Sequence, residues 1–304
     1  MKTLSVFFTD YEFIFVEKGR GIKKLKEYGT VKLPDGYIVN GIIEKLDELS
    51  TLVEDVIKRT KISTSKVNLL LHEKIVSVKR YPLPSEVKNK DLENYLKTRM
   101  NVDLVLPFSD SLMDVKVSEV NGEREAFIFA ASERHLNSYV KMLYKAGLKV
   151  VKTDIPALAA HRAYSISKYG IQDFENDIMI VNVYHNMLSI NIFNKQYPIF
   201  SIVSDIPNYE SSTHYNDFAQ RVQDEIYRMN NYYVWNINKG NETVKKAIII
   251  PMTGDDLLDE NLVRIIINNN MTNVGHLVFY NPNDENNLYD VYVKYLLTMS
   301  NSLI

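Results

Sequence analysis

The sequence of 304 residues contains no cysteine, which excludes disulfides, thiolate catalysis, iron–sulfur clusters and cysteine-based zinc sites together. Glycine is scarce, at 11 residues, about half of the usual 7%, so glycine-rich phosphate loops have little material. A charge excess is also missing: 36 Lys and Arg against 38 Asp and Glu leave a net charge of −2, and no net field draws the chain to nucleic acid or anionic lipid. Apolar runs such as Phe127–Ala131 and Ala247–Ile250 fall far short of the roughly 18 residues of a spanning helix. The opening Met1–Phe8 begins like a signal peptide, but Thr9, Asp10 and Glu12 cut it short, so a first strand and a soluble, cytosolic chain are expected. What remains is an ordinary globular composition, 45% hydrophobic and 24% charged, long enough for about two domains.

Periodicity predicts strands at Leu4–Phe8, Phe13–Val16 and Ile22–Leu33, then a turn at Pro34, Asp35 and Gly36. Ile42, Ile43, Leu46, Leu49, Val53, Val56 and Ile57 have helical spacing, giving a helix over 41–59 before a buried strand Val67–Leu71 and an extended segment Ile75–Tyr81. After Pro82 and Pro84 the pattern predicts a polar helix Ser85–Thr98 and strands Leu112–Val120 and Glu125–Ala131 around Asn121 and Gly122. A helix Glu133–Ala146 stopped by Gly147 and a strand Leu148–Thr153 follow. This reads as a small α/β module set into a larger domain. A helix Pro156–Tyr164, a polar break Gly170–Asp177 and strands Ile178–Tyr184, Met187–Asn194 and Tyr197–Val203 come next. The pattern ends with a helix Asn216–Trp235, a strand Ala247–Ile250 and helices Leu257–Asn268 and Leu288–Ser300. Three strands, helix, strand therefore occurs twice, a repeat of topology with little residue identity.

The six histidines, at 72, 135, 161, 185, 214 and 276, stand singly and read as surface or satisfied core residues, without metal or triad spacing. Asp255–Asp256 and Asp259–Glu260 flank a helix start, where acids favour the positive end of the helix dipole. No Walker or Rossmann glycine pattern occurs. Gly19-Arg20-Gly21 reads as a hairpin turn, and Lys23, Lys24 and Lys26 as a solvated strand face. Tyr227, Tyr232, Tyr233 and Trp235 end a helix that packs on a sheet, with a peptide-binding surface as the sharper alternative.

Several phrases in order resemble one family. Lys32-Leu33-Pro34-Asp35-Gly36 before a helix, Lys79-Arg80-Tyr81-Pro82-Leu83-Pro84 before an acidic helix, and Phe127–Ser132 leading to Tyr139, Ala146-Gly147-Leu148 and Asp154-Ile155-Pro156-Ala157-Leu158-Ala159 are similar to PilM. That family comprises the actin-like proteins of type IV pilus, competence and type II secretion machineries related to FtsA. The resemblance implies an α/β, actin-like (ASKHA, ribonuclease H-like) duplicated fold with an inserted 1C-like subdomain. The parts would be 1–78 and 154–170 for the first actin-like domain, 79–153 for the insert and 171–304 for the second domain.

Such a family carries Asp-Ile-Gly phosphate loops, and here they are altered. Thr9-Asp10-Tyr11-Glu12 keeps only the carboxylate, Asn182 replaces an acid in Asn182-Val183-Tyr184-His185-Asn186, and Pro251-Met252-Thr253-Gly254 keeps one glycine. Asp10, Asn182 and Gly254 thus mark degenerate nucleotide positions. These departures favour a non-hydrolysing adaptor, with bound ATP and magnesium the less favoured alternative, and the resemblance implies attachment to the inner face of the membrane through the cytoplasmic tail of a PilN-like single-span protein. In the family that tail docks near the junction of insert and first domain, where Val105, Leu106, Phe108, Tyr139, Met142 and Leu143 are the candidate contacts, with core packing as their alternative. An active actin-like ATPase and a sugar-kinase-like phosphotransferase are the rival readings.

Overall fold

Strand β1 (Leu4–Phe8) is buried along its whole length because it has neighbours on both faces and both edges. The computed structural model describes residues 2–18, 25–100, 102–120, 122–165, 177–194, 196–207, 215–240, 243–244, 246–269 and 277–279. The predicted helix Leu288–Ser300, Gly19-Arg20-Gly21, Lys23, Lys24, Asn121, His214 and His276 lie outside these residues. β1 pairs antiparallel with β2 (Glu12–Lys18), which pairs with β3 (Leu25–Lys32), and parallel with β6 (Lys66–Leu70), which pairs with β10 (Lys149–Asp154). The second sheet repeats this order: β13 (Tyr197–Asp205), β12 (Met187–Asn194), β11 (Asp177–Tyr184), β14 (Lys246–Met252) and β15 (Leu277–Phe279). The topological repeat read from the sequence is therefore present as two equivalent sheets.

Strand alternation sends Leu4, Val6 and Phe8 into one core with Leu49 and Val53 of α1 (Leu46–Arg59) and Tyr139, Met142 and Leu143 of α3 (Glu133–Lys145). Phe7, Ile14 and Val16 face the opposite way, onto α4 (Pro156–Ser165) and the second sheet's Ile178, Ile180, Ile248 and Ile250. Ala157, Ala159 and Ala160 let α4 come close to both sheets, and Leu158 and Tyr164 of the same helix complete the contact. The far face of the second sheet packs on α5 (Tyr215–Tyr232) and α6 (Asp256–Asn269). Beyond Tyr232 the expected helix tail is a π-helical turn, Tyr233–Ile237. It leaves Tyr227, Tyr232 and Trp235 exposed and only Tyr233 of the aromatic group buried.

The inserted module is a three-stranded sheet in the order β7 (Val76–Pro82), β9 (Glu123–Ser132), β8 (Ser111–Val120). Its own core holds Leu96 of α2 (Leu92–Arg99), a helix shorter than the expected 85–98 because a 3₁₀ turn at Asn89–Asp91 precedes it. The sequence boundaries of 79–153 also assigned α3 and β10 to this module. Pairing corrects them: β10 closes the edge of the first sheet beside β6, and α3 shares a core with α1.

A second correction concerns the helix expected over 41–59. Asn40 and Gly41 both have positive φ, 51° and 75°, forming a two-residue hairpin turn between β4 (Ile38–Val39) and β5 (Ile42–Ile43) of the kind that Asn-Gly favours. Ile42 and Ile43 belong to that hairpin, and the helix starts at Leu46. A Cβ on Gly41 would lie 2.5 Å from the Nδ1 of His72, whereas one on Gly36, also at φ 75°, would meet nothing within 4 Å. Left-handed backbone costs about 1–2 kcal/mol in either alanine variant. Gly41→Ala is expected to lower the melting temperature well beyond Gly36→Ala, because it adds a clash with a buried ring; equal shifts in parallel thermal melts would contradict this.

Candidate functional site

The turns joining the first two strands of each sheet, Thr9–Tyr11 and His185–Asn186, meet where the two halves face one another. Within the first turn the Oγ1 of Thr9 accepts hydrogen bonds from the backbone N–H of Tyr11 at 3.2 Å and of Glu12 at 2.9 Å. Two amides that a phosphate loop would turn toward an anion are thereby occupied. The Tyr11 ring lies against the His185 ring with centroids 4.4 Å apart and planes at 53°, so the side chains of the two turns touch across the junction. Burial pushes the His185 pKa below the ordinary histidine value, although the Thr253 backbone and the charge of Asp255 act the other way.

Asp10 faces away from this junction. Its Oδ2 accepts the N–H of Asn40 and its Oδ1 that of Gly41, each at 2.9 Å, and the Nε2 of His72 lies 3.2 Å from Oδ1. Burial alone would raise the Asp10 pKa, but the His72 contact and the two amides hold it below the usual carboxylate value. The Tyr139 hydroxyl donates to the Gly41 carbonyl at 3.0 Å beneath the same hairpin, and burial with the nearby Asp10 charge keeps that phenol protonated. Asp10 is thus the centre of a structural knot.

Asn182 is also displaced from its expected role. It lies inside β11, fully buried, and its Nδ2 donates to the Oε1 of Glu73 at 3.1 Å, the same oxygen that accepts from the Tyr184 hydroxyl at 3.1 Å. Glu73, in a 3₁₀ turn after β6, therefore plugs a first-half carboxylate into the second sheet, and the neighbouring Lys74 reaches Asp205. Gly254 has φ 83° and a Cβ there would sit 3.4 Å from the Glu12 carboxyl carbon. After it, the Asp255 Oδ1 caps the amides of Leu257 and Leu258 at 3.0 and 3.1 Å, and the Oδ1 of Asp259 accepts from the Thr253 N–H at 3.0 Å. Of these acids, Asp255 thus acts on the helix end as read from the sequence, while Asp259 holds Thr253 before it.

A second feature is a groove of about 800 Å³ between the inserted sheet, the end of β10 and α4. Leu112, Phe129 and Leu158 supply apolar lining, and Asp154, Arg162 and Tyr197 a polar side. Arg162 is ion-paired to Asp154, while its Nε is buried with no acceptor among the described residues. Phe127 stacks on Tyr197 at 4.8 Å, tying the inserted sheet to the second half. Of the six candidate contacts, Tyr139, Met142 and Leu143 are at most 1% exposed, inside the first core, so core packing accounts for them and docking does not. Val105 is exposed and Leu106 and Phe108 half-buried on the segment before β8, and none of the three lines the groove. A larger hollow of about 1080 Å³ at the outer end of the insert has both of its arginines engaged, Arg99 with Asp103 and Arg124 with the Val87 carbonyl.

Sequence reasoning missed Glu73, whose burial raises its pKa above the ordinary 4.5 although Asn182, Ser189 and Tyr184 bond to it. A raised acid pKa means the native state binds the proton more tightly, so this group's contribution to stability is greatest at low pH and falls as pH rises through the raised value. Glu73→Gln keeps an oxygen toward Asn182 and Tyr184 without the charge, and should match or exceed the wild type near neutral pH. Glu73→Ala leaves those donors unpaired and should cost about 1–3 kcal/mol. Urea titrations at acid and neutral pH check both, and a Gln variant as unstable as Ala would contradict the reading.

Comparison with known proteins gives concordant results. The family model described as type IV pilus assembly protein PilM matches residues 10–203. Among solved structures, a chain of a PilM–PilN type IV pilus biogenesis complex is similar over 100% of this chain and 98% of its own, with TM-score 0.76 at 12% identity. The cytoplasmic domain of EpsL, an inner-membrane component of the type II secretion system of Vibrio cholerae, matches over 88% and 95% with TM-score 0.53 at 11% identity. A protein of actin-like ATPase fold from Bacteroides thetaiotaomicron matches over 98% and 95% with TM-score 0.51 at 14% identity. Searching curated protein sequences finds no match. At these identities the structures share the fold, which is actin-like, and the family model covers well over half of the chain: it belongs to the PilM family of type IV pilus assembly proteins.

Proposed function

We propose that this chain is a non-hydrolysing adaptor at the inner face of the cell membrane, which captures the cytoplasmic tail of a PilN-like membrane protein in the groove beside the inserted sheet. The observation that carries the first half is the contact of Tyr11 with His185, with the adjoining amides already bonded to Thr9. The residues present do not fit a nucleoside triphosphate. Glycine is missing where a backbone must approach phosphate, the Asp10 carboxylate is committed to a hairpin, and the amides at the α6 start are capped by Asp255. The active-ATPase and sugar-kinase readings each need a donor set that these contacts consume.

The tail reading rests on the groove itself. Its apolar side chains from β8, β9 and α4 stand beside an ion-paired Asp154 and Arg162. An extended peptide burying one or two apolar anchors there gains about 1.5–3 kcal/mol for each before ordering costs. In the related solved structure the protein is found in a complex named for both PilM and PilN, which suits a tail as the occupant.

Two outcomes are expected. Millimolar Mg-ATP should leave the thermal melt unchanged, where binding at 100 times Kd would add about 2.7 kcal/mol; a clear upward shift would refute the first half of the proposal. Leu112→Glu, at an exposed groove position, and Leu158→Ala should each weaken binding of a synthetic PilN-like tail peptide by about tenfold or more in isothermal titration. Salt dependence should be slight, because apolar burial supplies most of the affinity. Wild-type affinity in both folded variants would place the tail elsewhere.

A further inference from the structure

The net charge of −2 conceals an uneven distribution. At the amino-terminal end of the first sheet, opposite the end that carries Leu71 and the groove, five exposed cations gather: Lys2, Arg59, Lys61, Lys66 and Lys149. Their proximity is fixed by backbone contacts. Lys149 is in register with Lys66 on the neighbouring strand, the N–H of Lys149 donates to the Ser65 carbonyl at 2.7 Å, and the Thr64 hydroxyl donates to the Lys2 carbonyl at 3.1 Å. The Lys61 carbonyl accepts from Lys26 at 3.2 Å, and Lys26 also neutralises the buried Glu17.

Helix ends explain part of this charge and leave the rest. Arg59, at the end of α1, and Lys145, at the end of α3 and paired with Asp47, suit negative helix termini. Lys2, Lys61, Lys66 and Lys149 are on strand starts and a connection. Lys66 and Lys149 stand in register on neighbouring strands, about 4.8 Å apart. Near Lys149 in the chain, the Tyr144 side chain is 77% exposed, and Val151, at the bulge of β10, is 44% exposed.

We propose that this end of the first sheet is a second, lipid-facing surface that takes anionic phospholipid headgroups. A cationic rim with one amphipathic ring suits the headgroup layer, where Tyr is enriched and each Lys or Arg adds about fivefold in affinity. Two apolar side chains among lysines offer little of the packed apolar centre of a protein interface. The surface is distinct from the groove and does not depend on it. Because the groove is at the other end of the same strands, about 17–20 Å away, occupying both asks for at least about six extended residues between the docked tail and the bilayer. Joined to a tethered partner, a weak lipid contact gains from effective concentration.

Co-sedimentation of the full chain with phosphatidylcholine vesicles, with and without about one third phosphatidylglycerol, tests this. The expected result is pelleting with the anionic vesicles alone, lost in about 0.5 M salt. The triple reversal Lys61→Glu, Lys66→Glu and Lys149→Glu should weaken binding about a hundredfold while leaving tail-peptide affinity unchanged. Lys88→Glu with Lys90→Glu, on the inserted module, should leave vesicle binding as it is. Equal pelleting with neutral vesicles, or wild-type binding by a folded triple variant, would overturn the proposal. So would capture of polyglutamate without vesicle binding, which would point to an acidic protein instead; the wild-type lipid and salt comparison decides even where the triple variant fails to fold.

Discussion

Satisfying one partly buried carboxylate, Asp10, organises the centre of this protein. The chain meets its charge with the amides of the Asn40-Gly41 hairpin and a buried imidazole. Each partner brings an element into place. Asn40 and Gly41 fix the hairpin, His72 fixes the turn that presents Glu73, and Tyr139 anchors α3 under Gly41. Once Asp10 is so held, the neighbouring turn closes on Thr9 and its ring side chain, Tyr11, meets His185 across the junction.

The same economy runs through the second half. The parts of the molecule bridge one another directly: Glu73 with Asn182 and Tyr184, Tyr11 with His185, Lys74 with Asp205 and Phe127 with Tyr197. Together with the small-residue helix α4 these contacts make the inter-sheet region a core. The proposed binding surfaces lie at the periphery, where the inserted sheet meets β10 and α4 and where the strand starts carry lysines.

Much of the fold was legible because its strands alternate cleanly and its breaks carry Pro and Gly. Both three-strand meanders, the stop of α3 before Gly147 (φ 78°) and the existence of an insert follow from such signals. The start of α1 did not, because Ile42 and Ile43 fit a helical period as well as a hairpin; the Asn40-Gly41 dipeptide was the overlooked signal. The limits of the insert were hidden because adjacency in sequence does not say which sheet β10 joins. Tyr139, Met142 and Leu143 lie at the spacing of an amphipathic face, which reads alike for a core and for a docking surface. Glu73 gave no sign at all, since burial of a lone acid depends on Asn182 and Tyr184, more than a hundred residues away. Asn182 stands inside the strand Ile178–Tyr184 as read, but its bond to Glu73 across the two halves was not legible.

The central claim is that partner capture is uncoupled from nucleotide, and coupling between two ligands is reciprocal and measurable from either side. The most direct measurement is the affinity of a PilN-like tail peptide for the wild-type chain, titrated with and without millimolar Mg-ATP. The same dissociation constant is expected in both. A change of about fivefold or more, the lower end of usual allosteric coupling, would contradict it and return the cleft to a nucleotide-dependent role.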